Sequence, residues 1–343
     1  MNIVRVALAV PLPRFFDYLY SPDLTPIVGG RVLVPFGSQK RVGIVVDLPA
    51  SSDVAKEKLK PIIDVLDAES LFNSTTWDWL AWSANYYRAA LGDVLFQALP
   101  VKLRNGESAV KNDRTFWRIT DLGKQALELG ALNRAKKQIE ALNLLLTQDL
   151  EKGNNEISSA IWSALKGKDY AEEIIVPTEQ KSWQQALGDN PLANLDNRLT
   201  LNKQQALAFS QLLFQEGFNV WLLEGVTGSG KTEIYLQYIE EVLKKGKQVL
   251  VLVPEIGLTP QTVRRFQARF NVEIDVLHSN LNDTQRLNVW ERARTGQSAI
   301  VIGTRSALFT QFSNLGLIIL DEEHDGSFKQ QDGWRYHARD LGI

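Results

Sequence analysis

The stretch Gly225-Val226-Thr227-Gly228-Ser229-Gly230-Lys231-Thr232 has residue types and spacing that admit few chemistries. It fits G-x-x-x-x-G-K-[ST], where glycines let the backbone curl so that successive N–H groups and a helix N-terminus face nucleotide phosphates. Lys231 adds a point charge against the β- and γ-phosphates, and the Thr232 hydroxyl is a Mg²⁺ ligand. An acidic group at the end of another strand should complete such a site. The apolar run Leu317–Leu320 leads straight into Asp321-Glu322-Glu323-His324. Asp321 is the natural metal partner, and Glu322 the candidate to orient or deprotonate an attacking water. Taken alone, an acidic cluster after a strand is more often a solvated loop; its pairing with the glycine-rich motif in one sheet reverses that. Lys231, Asp321 and Glu322 are therefore the expected catalytic set, with ATP and Mg²⁺ as cofactors. Upstream, Gln205 could pair bidentately with adenine, although an exposed glutamine at a helix start fits its position equally well.

Between these motifs the window 264–305 holds seven Arg against four acidic residues, a local excess in a chain of net charge −2. Arg264, Arg265, Ser279, Arg286, Thr304 and Arg305 fall near expected strand ends or helix starts, where guanidinium groups, hydroxyls and helix N-termini grip phosphates. Solvated helix faces account for any one of these arginines as well. After the acidic tetrad comes Asp325-Gly-Ser-Phe328-Lys329-Gln-Gln-Asp-Gly-Trp334-Arg335-Tyr336, with aromatics interleaved among cations. Aromatic faces stack on unpaired bases for about 1–3 kcal/mol each. The same rings folded inward would be ordinary core.

These residues need a frame. From Leu199 onward near-continuous apolar runs at Val220–Leu223, Val249–Val253, Ile274–Leu277, Ala299–Ile302 and Leu317–Leu320 alternate with segments long enough for crossover helices at 233–243, 260–270 and 283–294. Runs of that kind suit parallel strands covered on both faces, so 199–343 reads as a doubly wound parallel α/β lobe of the P-loop class. Residues 1–105 read instead as short β-branched runs (3–10, 31–35, 41–47) divided by Pro-Leu-Pro at 11–13 and Gly29-Gly30, a small β-rich barrel or sandwich. One helix from 75 to 89, capped by Ser74, packs on it. Residues 106–178 carry a strand leading into a helix at 113–130 and a second helix at 136–146, a winged-helix-like pattern. The polar segment 179–198 reads as a linker.

The 343 residues include no Cys and three His, which excludes disulfides and thiolate metal sites within the chain. No apolar stretch approaches the roughly 20 residues of a membrane span, and the first ten residues lack a signal-peptide pattern. A cytoplasmic protein without membrane contact is expected.

Taken together, Val4–Leu8, Pro11–Tyr18, Arg31–Gly37, Gly92–Phe96, Gly225–Thr232, Asp321–His324 and Lys329–Arg339 resemble the primosomal replication-restart helicases, a family of superfamily 2. The nucleotide motifs are generic, whereas the amino-terminal ones and the Phe328-Lys-Gln-Gln/Gly-Trp334-Arg-Tyr loop are specific to that family. The resemblance implies that 1–105 is a 3′ DNA-end-binding domain with a pocket at Phe16, Asp17, Gly37 and Lys60. A carboxylate accepting from a terminal hydroxyl, an aromatic on the last base and a lysine on the phosphate make physical sense of that set. It further implies an ATP-dependent 3′→5′ helicase in DNA replication, recombination and repair, acting at stalled forks. Forked and single-stranded DNA, single-stranded-DNA-binding protein and other primosome proteins would be its partners. A second lobe with an arginine finger and zinc-binding cysteines is expected beyond Ile343, so this chain is expected to bind no zinc and to be an amino-terminal portion. A non-catalytic fork-binding scaffold and a P-loop NTPase acting on something other than DNA remain open alternatives.

Overall fold

The computed structural model describes residues 2–10, 12–109, 113–132, 135–152, 157–177, 180–213, 217–226 and 228–343. They form two compact units, one made of Met1–Ala109 with Lys181–Ile343, the other of Val110–Gln180. No helix among the described residues is long and apolar enough to cross a membrane.

In the first unit, strands β1 (Ile3–Ala7), β2 (Phe16–Leu19), β3 (Arg31–Phe36), β4 (Gln39–Asp47) and β5 (Asp64–Val65) make one antiparallel sheet in the order β2-β1-β4-β3-β5. Strand β2 was not expected from the sequence. Its register places Arg5 opposite Asp17. The β3–β4 hairpin turns on Gly37 and Ser38, with Phe36 paired to Gln39. Only Gly37 of the two has a positive φ, 62°, which a two-residue hairpin turn of this hand requires. Helix α1 (Ser74–Tyr86) follows, capped by the Asn73 side chain accepting from Thr76 N rather than by Ser74. Helices α2 (Leu91–Gln97) and α3 (Val101–Arg104) complete the segment.

Gly92 explains the Gly92–Phe96 motif in steric terms. A Cβ there would sit 2.0 Å from the Leu8 carbonyl oxygen, a backbone atom that cannot swing aside. Gly92→Ala should therefore destabilise by about 1–3 kcal/mol, the usual range for overpacking, read as a fall in thermal midpoint. An unchanged midpoint would mean that α2 shifts freely on β1.

The second unit holds an antiparallel sheet in the order β7-β6-β8, from β6 (Asp113–Ile119), β7 (Leu150–Glu151) and β8 (Ala171–Pro177). Helices α4 (Asp121–Glu128), α5 (Lys136–Thr147) and α6 (Ser159–Lys166) pack on it around the stacked rings of Trp117 and Trp162.

The segment read as a linker is packed. Helix α7 (Trp183–Leu187) opens with a capping box at Ser182 and Gln185, and Trp183 is buried beside Leu236 and Phe270. Beyond it come α8 (Lys203–Leu213), α9 (Lys231–Lys244), β9 (Gln248–Leu252), α10 (Pro260–Arg269), β10 (Ile274–Leu277), α11 (Asp283–Arg294), β11 (Ile300–Gly303), β12 (Leu315–Leu320) and α12 (Ala338–Gly342). The four strands are parallel, in the order β10-β11-β9-β12.

Alternation along β9 shows why its run is apolar throughout. Val249 and Val251 face one cluster with Ile239 and Leu243 of α9 and Phe266 of α10. Leu250 and Leu252 face another, with Leu287 and Trp290 of α11, which continues without a break to Leu80, Leu95, Leu99 and Leu103 of the amino-terminal helices. Each fully buried Leu or Phe is worth about 1.5–3 kcal/mol. Parting the amino-terminal segment from the sheet would expose enough of them to rival the roughly 5–15 kcal/mol of a whole domain. The two segments therefore behave as one body.

One expected strand is absent. Val220–Leu223 forms no ladder, and Phe218, Val220, Trp221 and Leu222 are exposed. Apolar composition states a preference for a strand, while a strand exists only where its N–H and C=O groups are paired; this run pairs with no neighbour.

Candidate functional site

The parallel order places the crevice. The chain passes from β11 over β9 to β12, so the topology switches direction between β9 and β12, where α/β sheets bind ligands at their carboxyl ends. A cavity of about 440 Å³ lies there, lined by Thr232, Tyr235, Val253, Pro254, Arg265, Asp321, Glu322 and Asp325 among others. The two motifs read from the sequence thus share one space. Gly228 and Gly230 take φ values of 79° and 83°, which curl the loop and let Gly230 cap α9. Lys231 Nζ donates to the carbonyls of Gly225 (2.7 Å) and Val226 (3.4 Å), which fixes the shape of the loop. Thr227 lies outside the described residues. The Asp321 N–H donates to Leu252 O at the end of β9, and Asp321 Oδ2 accepts from the Tyr235 hydroxyl at 3.1 Å. Glu322 is exposed and has φ 51°, a left-handed backbone that a non-glycine residue keeps only when its surroundings impose it. Hydrogen bonds from Ser327 hold the Asp325 carboxyl below its ordinary range.

Gln205 has a different place from the one expected. Its Oε1 accepts from Asn202 N and its Nε2 donates to Ser229 O at 2.8 Å, so both ends of the amide are committed. It braces the phosphate loop against α8, close enough that a Cβ on Gly230 would meet Nε2 at 2.4 Å. Adenine pairing would have to displace both bonds.

The residues expected to track a strand divide. Arg265 lines the cavity between β9 and β12. Arg286 donates to the carbonyls of His278, Ser279 and Leu281, and Arg305 to those of Ser327 and Lys329, so both guanidinium groups hold loops in shape. Arg264, Ser279, Lys329 and Arg335 are exposed, and Thr304 is half-buried. Phe328 and Trp334, expected to display their rings to bases, are 0% and 5% exposed. Trp334 packs on Phe309, Tyr336 and Tyr87 of the amino-terminal segment, because so large an apolar surface is worth more in the shared core than in water. Burial also pushes the Tyr336 phenol up to about 12. The Tyr87 hydroxyl accepts from His337 N and donates to Asp340, and Arg339 bridges Asp340 to Glu323 of the tetrad.

In the same unit a second cavity, about 540 Å³, is lined by Phe16, Asp17, Gly37 and Lys60, the four residues named by resemblance, together with Arg5, Arg14, Phe36 and Lys58. Phe16 and Phe36 meet edge to face at 5.3 Å, with Arg14 and Arg41 over their rings. A Cβ on Gly37 would meet nothing within 4 Å, so this glycine serves its turn and leaves the mouth open. Asp17 is held by three donors: Arg5 Nε (2.8 Å) and Nη2 (3.0 Å) across the strand pair, and the Ser52 hydroxyl (2.6 Å) from the loop after β4. Arg5 and Ser52 were missed in the sequence because their partner's strand was missed.

The hydrogen bonds from Arg5, with smaller help from Ser52, hold the Asp17 carboxyl below its ordinary range. A depressed folded value means that the stabilisation is complete above the unfolded value of about 3.9 and is lost as pH falls through the folded one. Asp17→Asn should thus flatten the acid limb of the thermal midpoint below about pH 4; an acid limb as steep as in the unsubstituted chain would show that Asp17 does not contribute to it.

Residues 5–100 match the family model of the 3′DNA-binding domain (3′BD), and residues 202–342 that of the DEAD/DEAH box helicase. Over all of its length the chain is 76% identical to the replication restart protein PriA of Haemophilus influenzae, covering 47% of that relative. Over its whole length the chain is similar to PriA. It is 35% identical to PriA of Buchnera aphidicola from Acyrthosiphon pisum and 29% identical to PriA of Bacillus subtilis, covering 47% and 51% of them. It thus spans about half the length of the curated PriA relatives it matches.

Proposed function

We propose that this chain carries the end-capture domain and first motor lobe of an ATP-dependent 3′→5′ DNA helicase. It would recognise stalled or abandoned replication forks in the cytoplasm and start primosome assembly for replication restart. One observation carries the reading: a basic and aromatic cavity holding Phe16, Asp17, Gly37 and Lys60 sits in the same packed body as a cavity joining Thr232 to Asp321 and Glu322. The first suits a 3′-terminal nucleotide. Its last base would lie on Phe16 or Phe36, the Asp17 carboxylate would accept from the terminal hydroxyl, and Arg14, Lys58 and Lys60 would meet the adjacent phosphates.

The second cavity suits ATP with Mg²⁺. The Thr232 hydroxyl and the Asp321 carboxylate are the donor pair such an ion takes, and both line the cavity. When bound, the ion would offset charge on the β- and γ-phosphates. Lys231 would leave the carbonyls of Gly225 and Val226 for the phosphates, and Glu322, exposed at the rim, would orient the attacking water. We read Val110–Gln180 as a winged-helix module on the strength of its helices and three-stranded sheet. Arg264, Lys329 and Arg335 are read as single-strand contacts, and single-stranded-DNA-binding protein and other primosome proteins as partners. Zinc is assigned to no residue of this chain.

Fork binding by the chain tests the reading. Three phosphate contacts from Arg14, Lys58 and Lys60 imply that affinity for the single-stranded end falls about 20-fold between 50 and 200 mM salt. Absent or salt-insensitive binding would favour an NTPase that does not act on DNA.

A further inference from the structure

We propose that Tyr235 is a positioning residue for the metal carboxylate: its hydroxyl holds Asp321 Oδ2 so that Oδ1 is the oxygen presented to a divalent cation. The inference rests on reading the cavity between β9 and β12 as a nucleotide and Mg²⁺ site. Tyr235 lies three residues after Thr232 on α9, so both side chains rise on one face of the helix, and both line the cavity with Asp321. The hydroxyl donates to Asp321 Oδ2 at 3.1 Å. Among the described residues no other side chain donates to that carboxylate. The Asp321 main chain is pinned to β9 through Leu252 O. With backbone and one carboxylate oxygen fixed, the remaining oxygen has one direction to face.

The ring itself is fixed from behind. It stacks on Phe266 of α10 at 6.4 Å with planes 23° apart, and Phe266 is fully buried. A phenol ordinarily titrates at about 10, so around neutral pH the hydroxyl is a donor rather than a base. Nothing in the phosphate-loop or acidic motifs points to this tyrosine, since it lies inside the helix that follows them.

Through Thr232 on the same face of α9 and the bond to Asp321, Tyr235 links the two halves of the site. Removing a hydrogen-bond partner of a metal ligand typically costs about 10–100-fold in metal affinity. The test uses the 343-residue chain with fluorescent N-methylanthraniloyl-ADP, titrated with Mg²⁺ after chelation. Tyr235→Phe keeps the stack on Phe266 and removes only the hydroxyl. It should raise the Mg²⁺ concentration for half-maximal enhancement of nucleotide binding about tenfold, with metal-free binding and thermal midpoint unchanged. Phe266→Leu loosens the stack but keeps the hydroxyl; it should lower the thermal midpoint and raise the Mg²⁺ midpoint by clearly less than Tyr235→Phe does. An unchanged Mg²⁺ midpoint in Tyr235→Phe overturns the inference, as does an equal rise in both variants, which would assign the effect to packing. If the unsubstituted chain shows no Mg²⁺-dependent nucleotide binding, the nucleotide-site reading fails and the inference with it.

Discussion

Lys231→Ala should reduce ATP turnover in the full-length protein by at least about 10²-fold, the scale expected when a charged donor aimed at the reacting phosphates is removed. The expectation rests on placement: Lys231 opens α9 directly before Thr232, which lines one cavity with Asp321 and Glu322. The same substitution removes two hydrogen bonds that shape the loop, to Gly225 O and Val226 O, so a loss of nucleotide affinity should accompany the loss of rate. DNA-end binding is a separate matter. The cavity that holds Asp17 is lined from β1, β2, the end of β3 and the segment after β4, and no residue of Gly225–Thr232 lines it. Anisotropy of a forked DNA should therefore be unchanged by Lys231→Ala. Undiminished turnover would remove Lys231 from the chemistry, and a parallel loss of fork binding would show that the substitution had damaged the fold.

Asp17→Ala should abolish preference for a 3′-hydroxyl end over a 3′-phosphate end, and should do so from both sides. A hydrogen bond involving a charged group is worth about 1.5–3 kcal/mol, so affinity for the hydroxyl end should fall by roughly 10- to 100-fold. Affinity for the phosphate end should rise. Asp17 now neutralises Arg5 through two bonds, and its removal leaves that guanidinium facing a cavity already lined by Arg14, Lys58 and Lys60. Fluorescence anisotropy on the two ends separates this from simple unfolding, which would weaken both. A uniform loss would mean that Asp17 only supports Arg5 and the Ser52 loop.

The parts of this protein that were legible in the sequence are those whose chemistry is local. Gly225–Thr232 and Asp321–His324 each lie within eight consecutive residues, and the buried strands β9 and β11 carry their own signal because both faces are covered. What was hidden depends on pairings between distant residues. Strand β2 follows Pro-Leu-Pro-Arg, which reads as a turn, and without it the cross-strand partnership of Arg5 and Asp17 has no register. Gln205 looked free to read a base because the brace to Ser229 O spans 24 residues. Trp334 looked available for stacking because it packs on Tyr87, some 250 positions earlier in the chain, and Phe328 because it is buried in the same shared core. Val220–Leu223 failed in the other direction: apolar composition promised a strand where the fold supplies no partner. The interleaving of aromatics and cations at 328–336 was real, but the fold sorts it, with rings turned inward and Lys329 and Arg335 outward.

That sorting bears on coupling between the two cavities. The loop that follows the acidic tetrad is held at one end by Arg305 and at the other by Tyr87, Trp79 and the α12 segment, with Trp79 donating to Leu341 O. Because α1 belongs to the amino-terminal segment, a change at the tetrad has a packed route to the segment that carries the end pocket.

The central claim is that one packed body captures a 3′ end and holds a motor site. Its most direct test is the binding of the unsubstituted chain to a forked DNA whose leading strand ends in a 3′-hydroxyl, against the same fork ending in a 3′-phosphate, by fluorescence anisotropy at fixed salt. The account predicts tighter binding to the hydroxyl by about tenfold, the worth of one hydrogen bond to a carboxylate. Equal binding to the two ends would contradict end capture at Asp17 and leave a nucleotide-binding lobe with no specific fork to act on.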